Sequence, residues 1–270
     1  MTVKRRDTLL GYLRRHRHTA LLATIVAALA ARPVVGDVHA GPVVFSVAML
    51  LVLLAALLTV QVDELVGDRQ ALLAQRRRQS AIAWMLAVPA IAERLYVLVA
   101  PSPRQYLIGS IFWFLFLSFV TWNQLGTLLK HKRVTGETIS MSISVYLLLG
   151  MVWAILYMVM LQVEPQAFRF EAAMPKTGIE IFPVLIYFSL TTLTTVGFGD
   201  IIPLTLPARY AAVAEAITGQ FYLAILVARL VGLHMAQSVA SGAREPARAP
   251  ESEEPLDPSA VGDEGSRSTG

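Results

Sequence analysis

The residues best suited to chemistry lie in one short segment, Thr194 to Asp200, which reads TTVGFGD. Glycine reaches positive φ at little steric cost, so Gly197 and Gly199 relieve the strain of turning successive carbonyls towards one axis. Rings of such carbonyls, with a hydroxyl such as that of Thr195, can replace the water shell of a cation. The alternative is an ordinary glycine-rich turn between two apolar helices.

The flanking sequences favour cation binding over a simple turn. The apolar stretch from Ile181 to Thr194 is too short to span a bilayer, and its early Pro183 is well tolerated near a helix start. After the segment come Pro203 and Pro207, followed by a long apolar run from Ala208. Because irregular backbone at membrane depth is stable only where protein or water covers it, this order predicts a re-entrant pore loop. The partially negative end of the short helix would favour a cation in the cavity.

The composition is typical of a polytopic membrane protein. The chain has 270 residues, of which 55% are hydrophobic, and a mean hydropathy of +0.57. The apolar residues lie in several runs of near-spanning length. The absence of cysteine excludes disulfides and thiolate–metal sites. Because the basic residues lie at the ends of apolar runs, the net charge of +4 indicates loop asymmetry rather than nucleic-acid binding.

The apolar runs predict an all-α membrane protein with six transmembrane helices and a re-entrant pore helix between the fifth and sixth. The runs cover residues 19–35, 43–62, 81–100, 105–129, 138–163 and 208–236. The first run is short and interrupted by Arg32, so a cleaved signal peptide is the alternative to a retained helix. The third contains Pro89 and the pair Glu93-Arg94, which we interpret as a buried structural pair.

Charge divides the chain into regions and orients them. Basic clusters precede the first run and follow the second and fourth, so the positive-inside rule places both termini in the cytoplasm and residues 164–180 outside. The predicted regions are a basic cytoplasmic arm (1–18), a four-span membrane domain (19–133), a pore domain (134–240) and a tail (241–270). The arm could lie along anionic lipid. The tail is rich in Pro, Glu, Ser, Asp and Gly, which predicts disorder.

The segment at 194–200 resembles the selectivity filter of tetrameric potassium channels, whose signature is Thr-Val-Gly-Tyr/Phe-Gly. The half from Thr138 to Ala236 resembles the pore module of the bacterial potassium channel superfamily, and the whole chain resembles its six-span members. The resemblance implies a homotetramer in the cell membrane that conducts K⁺ and needs no further cofactor. Gly199 would complete the outer mouth, with Asp200 behind it. The K⁺ ligands would be the Thr195 hydroxyl and the carbonyls of Thr195, Val196, Gly197 and Phe198.

The resemblance also implies a set of filter-supporting residues: Tyr187, Phe188, Thr191, Thr194 and Asp200. Tyr187 and Phe188 match an aromatic pair around the filter, and the Tyr187 hydroxyl could donate to Asp200. Ordinary aromatic packing is the alternative for this pair. Phe188 and Phe198 stand where many members have Trp and Tyr, so an apolar contact would replace a polar one. Thr191 stands where some bacterial channels have Glu, so carboxyl-pair effects on inactivation should be absent.

The last apolar run carries three unusual residues. Gly219 matches the hinge glycine of the family, with close helix packing as the alternative. Glu215 lies one turn earlier, and a carboxyl within the membrane needs a partner or water. We expect it to bond behind the short helix, to Thr192 or Thr194, rather than face the wet cavity. Arg229 is expected to reach lipid headgroups.

The predicted function is passive, potassium-selective conduction without steep voltage gating. A voltage sensor needs several arginines at helical spacing, whereas no charge lies between Arg104 and Lys130 in the fourth run. The alternatives are a weakly selective cation channel and a non-conducting scaffold or regulatory subunit with the same fold. Enzymatic activity is not expected, because the histidines are scattered without metal-ligand spacing. No nucleotide-binding domain or Ca²⁺ loop indicates what opens the pore.

Overall fold

The computed structural model describes residues 17–35, 41–64, 70–99, 103–131, 134–171 and 178–242. The helices are α1 (Arg17–Val35), α2 (Gly41–Glu64), α3 (Gln70–Val99), α4 (Pro103–Lys130), α5 (Gly136–Val163), α6 (Gly178–Leu193) and α7 (Leu206–Gly242). The strands are β1 (Phe168–Phe170) and β2 (Ile201–Pro203). The predicted basic arm and acidic tail lie outside the described residues, apart from residues 17–18 and 241–242, which are helical.

Four helices in the described part of the chain are long and apolar enough to cross a membrane. The candidate spans are Val43–Val60, Leu107–Lys130, Gly136–Val163 and Leu206–Leu233. They correspond to the second, fourth, fifth and sixth apolar runs. The first run forms a shorter apolar helix, and the third, within α3, is not among the four. The chain is therefore a mostly helical membrane protein, and the count of six spans stays a prediction.

Helix α1 is packed into the rest of the molecule. Its buried residues Leu21, Ile25 and Ala28 recur every three or four positions, so they form one apolar face. This helix contacts α2 and α5. The Thr19 hydroxyl donates to the Glu137 carboxylate of α5 at 2.9 Å. The polar start of α1 is thus joined to the start of α5.

Helix α5 is the central element of the second half of the chain. It begins with a capping box, in which the Thr135 side chain accepts from the Thr138 N–H and the Thr138 hydroxyl accepts from the Thr135 N–H. It contacts α1, α4, α6 and α7. About half of the residues of α5 are buried, whereas in the Leu206–Leu233 stretch of α7 only Ala208, Ala211, Glu215 and Gly219 are. One chain alone therefore leaves most of α7 exposed.

The two strands connect the chain on either side of the glycine segment. They are antiparallel, with Phe168 opposite Pro203 and Phe170 opposite Ile201. The Leu204 N–H extends the pairing by donating to the carbonyl of residue 167 at 2.8 Å. Because β1 follows α5 and β2 precedes α7, this ladder holds together the ends of the two long helices that flank α6.

Candidate functional site

The backbone of the glycine segment alternates in handedness. Positive φ occurs at every second residue, with +61° at Thr195, +51° at Gly197 and +81° at Gly199. Alternating right- and left-handed residues turn successive peptide groups the same way, so the carbonyls line one side and the N–H groups the other. Glycine permits this at two of the positions. Thr195 adopts a conformation that is uncommon for a residue with a Cβ and that its residue type does not predict.

The N–H groups of the segment are bound to the end of α6. The Thr191 carbonyl accepts from the N–H of Val196 at 2.8 Å and of Gly197 at 3.2 Å, and the Thr192 carbonyl accepts from Thr195 at 2.9 Å. The segment is therefore anchored through its donors. The Val196 side chain is exposed in the single chain. The position of residues 195–197 follows from that of α6.

Tyr187, on α6, lies against the outer part of the segment. Its ring stacks on that of Phe198, with centroids 6.2 Å apart and planes inclined by 4°. A hydrogen bond from its hydroxyl to the Asp200 carboxylate stays a prediction. Asp200 accepts from the backbone N–H of Ile201 at 3.1 Å and, through its carbonyl, from that of Glu171 at 2.9 Å. Asp200 thus joins the segment to the strand pair.

Phe188 points away from the segment. Its ring packs edge-on against Tyr157 at 5.1 Å and against Phe168 at 5.6 Å. The apolar contact predicted between Phe188 and Phe198 is absent from the single chain, where Phe198 stacks on Tyr187 instead. The reason is helical geometry, since neighbouring residues on α6 face different sides of the helix.

The hydroxyls of Thr191 and Thr194 form local hydrogen bonds with backbone carbonyls at the end of α6. The Thr191 hydroxyl donates to the carbonyl of Phe188 at 2.9 Å, and the Thr194 hydroxyl donates to that of Leu190 at 2.7 Å. Hydroxyls that bond back to the preceding turn are common at such positions. Both hydroxyls are therefore bonded within the last turn of α6, which anchors the segment.

Glu215, on α7, is fully buried behind α6. The prediction that it bonds to Thr192 or Thr194 was wrong. The carboxyl instead accepts from the Tyr157 hydroxyl at 2.5 Å and contacts the Ser189 hydroxyl. An acidic residue in an apolar helix signals that polar partners must exist, but Tyr157 lies 58 positions away and only the packing of α5 against α7 brings it close.

Gly219 lies where α7 crosses the end of α6. A Cβ at this position would overlap the carbonyl oxygen of Leu193. Close packing, the alternative in the sequence analysis, therefore accounts for the glycine, and its use as a hinge stays a prediction. The next residue, Gln220, has its amide nitrogen 3.5 Å from the Thr195 hydroxyl at the inner end of the segment.

Arg229 does not reach outward to lipid headgroups, so that expectation was wrong. Its guanidinium donates to three main-chain carbonyls at the end of α4, those of Leu128 at 2.6 Å, Leu129 at 2.7 Å and His131 at 2.7 Å. The last carbonyls of a helix lack partners within it and carry partial negative charge, which explains the attraction. The contact joins α7 to α4.

Comparison with known proteins places this site within a channel-like region. Residues 141–235 match a family model described as an ion channel. The match runs from α5 through α6 and the glycine segment to α7, and it supports an ion-channel function for this part of the chain. Searches of curated proteins and of solved structures gave no match.

Proposed function

We propose that the protein is a potassium-selective channel whose selectivity filter is the segment from Thr195 to Gly199. The observation that carries the proposal is the alternation of positive φ at Thr195, Gly197 and Gly199. That alternation directs consecutive carbonyls to one side of the segment. Carbonyl oxygens in rings are the ligands with which a narrow pore replaces the hydration shell of K⁺. The ion-channel match to residues 141–235 includes this segment.

The pore needs several copies of the chain. One copy of the segment supplies only one carbonyl oxygen at each position along the pore. A closed ring of four chains therefore provides the ligands that a dehydrated K⁺ requires. Only four residues of the Leu206–Leu233 stretch of α7 are buried in the single chain, which is consistent with a helix that faces neighbouring copies. We therefore propose a homotetramer in which α7 is the inner helix and α6 is a re-entrant pore helix.

The proposed topology follows the charge bias of the loops. We propose six spans in the plasma membrane, with both termini in the cytoplasm and the outer end of the filter facing outward. The contacts of α1 with α2 and α5 support a retained first span rather than a cleaved signal peptide. Transport is passive, with K⁺ as the permeant ion and no covalent chemistry.

Voltage dependence is expected to be weak. The span Leu107–Lys130 of α4 carries its only charge at its last residue. Each elementary charge that crosses the membrane field contributes about 2.3 kcal/mol per 100 mV, so a helix without such charges senses little of it. Voltage-clamp recording should give a shallow conductance–voltage relation. A relation as steep as that of a channel with four sensor arginines would contradict this part of the proposal.

The main test is ion flux through the purified protein in liposomes, with Na⁺ as the competing ion. Wild-type protein is expected to pass K⁺ in strong preference to Na⁺. Gly197→Ala should lose this preference, because a Cβ at φ +51° strains the backbone and displaces the carbonyls. Gly126→Ala is the matched control, since its Cβ would meet nothing within 4 Å and its φ is not positive.

The same experiment separates the alternatives. Equal K⁺ and Na⁺ flux in the wild type would favour a weakly selective cation channel. No flux across a range of pH and voltage, from protein that is folded and tetrameric, would favour the non-conducting scaffold. Strong K⁺ preference that survives in Gly197→Ala would show that the filter lies elsewhere.

A further inference from the structure

One buried polar cluster is not used by the proposed conduction path. It consists of Glu215 on α7, Ser189 on α6, and Tyr157 and the Gly150 carbonyl on α5. The side chains of Glu215, Ser189 and Tyr157 are all 0% exposed. Ser189 contacts both the Glu215 carboxyl and the Gly150 carbonyl, the latter at 2.6 Å. The cluster therefore links the three helices that surround the filter.

The number of hydrogens available for bonding in the cluster determines whether the Glu215 carboxyl is protonated. There are three contacts: Tyr157 to Glu215, Ser189 to Glu215, and Ser189 to Gly150. An ionised carboxylate and a carbonyl are both pure acceptors, so the single hydroxyl hydrogen of Ser189 can serve only one of them. A proton on Glu215 supplies the third hydrogen. The carboxyl then donates to Ser189, Ser189 donates to the Gly150 carbonyl, and Tyr157 donates to the other carboxyl oxygen.

The surroundings of Glu215 also favour the neutral form. Tyr157, on α5, is the titratable side chain that bonds to it, and Tyr146 on the same helix is close enough to interact with it electrostatically; neither is a cation. On α6 the facing polar group is the Ser189 hydroxyl, and within the described residues no Lys, Arg or His acts on the carboxyl. A buried carboxylate without a paired cation is costly, whereas a protonated carboxyl with its hydrogen bonds satisfied is not.

We infer that Glu215 is a positioning residue that works in its protonated form and holds the pore helix, and with it the selectivity filter, between the outer and inner helices. The inference rests on the proposed function for its link to conduction. Ser189 lies on α6 two residues before Thr191, whose carbonyl anchors the N–H groups of Val196 and Gly197. Loss of the carboxyl proton breaks one contact of Ser189 and frees α6 to shift. Alkaline pH therefore disturbs the filter from behind.

The direct test is infrared difference spectroscopy on the detergent-solubilised full chain. Wild-type protein at neutral pH is expected to show the C=O stretching band of a protonated carboxyl that is missing from Glu215→Gln. Raising the pH should abolish this band. A wild-type spectrum identical to that of Glu215→Gln in the protonated-carboxyl region would overturn the inference.

A second test uses stability and flux as functions of pH. The protonated state is the bonded one in the folded protein, so the wild-type Tm and K⁺ flux should both fall as pH rises. Glu215→Gln keeps a donor and an acceptor in the same places and cannot ionise, so its Tm and flux should stay near the neutral-pH wild-type values and lose their pH dependence. Glu215→Ala should lose stability at every pH.

The outcomes separate this inference from the channel proposal. A stable wild type with a flat pH profile, together with a destabilised Glu215→Gln, would show that the ionised form is the working one and would overturn the inference. If no variant conducts but the band and the pH-dependent Tm are present, the channel proposal fails and the protonated positioning role is supported.

Discussion

Gly219→Ala is expected to prevent the protein from folding stably and therefore from conducting ions. A Cβ at this position overlaps the backbone carbonyl oxygen of Leu193, the last residue of α6. A flexible side chain could move aside, but a carbonyl at the end of a helix moves only with that helix. Overpacking a core costs about 1–3 kcal/mol and occasionally more, and we expect the upper end or beyond because backbone is involved. The displaced end of α6 is followed directly by the proposed filter segment.

The same helix offers a matched control. Gly232 also lies within α7, and a Cβ there would meet nothing within 4 Å. Gly232→Ala should therefore leave the Tm and K⁺ flux close to those of the wild type. Thermal unfolding in detergent and liposome flux are the measurements. If Gly219→Ala is as stable as Gly232→Ala and changes only the open probability, bending rather than close packing explains the glycine.

Arg229→Met is expected to detach α7 from α4. The substitution removes three donated hydrogen bonds and leaves the terminal carbonyls of α4 without those donors. One hydrogen bond to a charged group contributes about 1.5–3 kcal/mol. Because the guanidinium is only partly buried, we expect the three together to contribute about 3 kcal/mol, measured as a lower Tm. Methionine keeps most of the apolar stem, so the loss reports the hydrogen bonds.

Two further variants give the Arg229 experiment its controls. Arg209→Met removes a single bond of 3.2 Å from an exposed side chain to the Pro203 carbonyl, so its effect should stay within about 0.5 kcal/mol. Arg229→Lys keeps the charge but lacks the planar fork, and should recover part of the loss. An Arg229→Met protein as stable as Arg209→Met would show that the contact at α4 contributes nothing measurable.

The local sequence pattern was sufficient to predict the helices and the position of the candidate site along the chain. The second, fourth, fifth and sixth apolar runs are long, uninterrupted or nearly so, and each forms a helix whose bounds lie close to those predicted. The run from Ile181, bracketed by proline and by the glycines, is likewise a short helix that ends before the segment. Such features depend on residue type and spacing within one stretch of chain, which the sequence records directly.

Partners brought together from distant parts of the chain could not be inferred in the same way. The carboxyl of Glu215 required a polar partner, and several hydroxyls on α6 were equally plausible from the sequence. The rotation of α6 selects Ser189, and the packing of α5 adds Tyr157. Arg229 required acceptors, and lipid headgroups or helix carbonyls satisfied that need equally well. Phe188 was placed beside Phe198 because the two share a family pattern, whereas its face of α6 turns towards β1.

By itself, the sequence determined that this is a membrane protein with a glycine-containing segment between a short and a long apolar helix, because hydropathy and glycine spacing are local properties. Tertiary structure decided the positive φ of Thr195, the buried contacts of Glu215, the close approach at Gly219 and the attachment of Arg229 to α4. Each of these depends on how helices cross and rotate against one another. That arrangement is set by the packing of many side chains at once, and no single stretch of sequence encodes it.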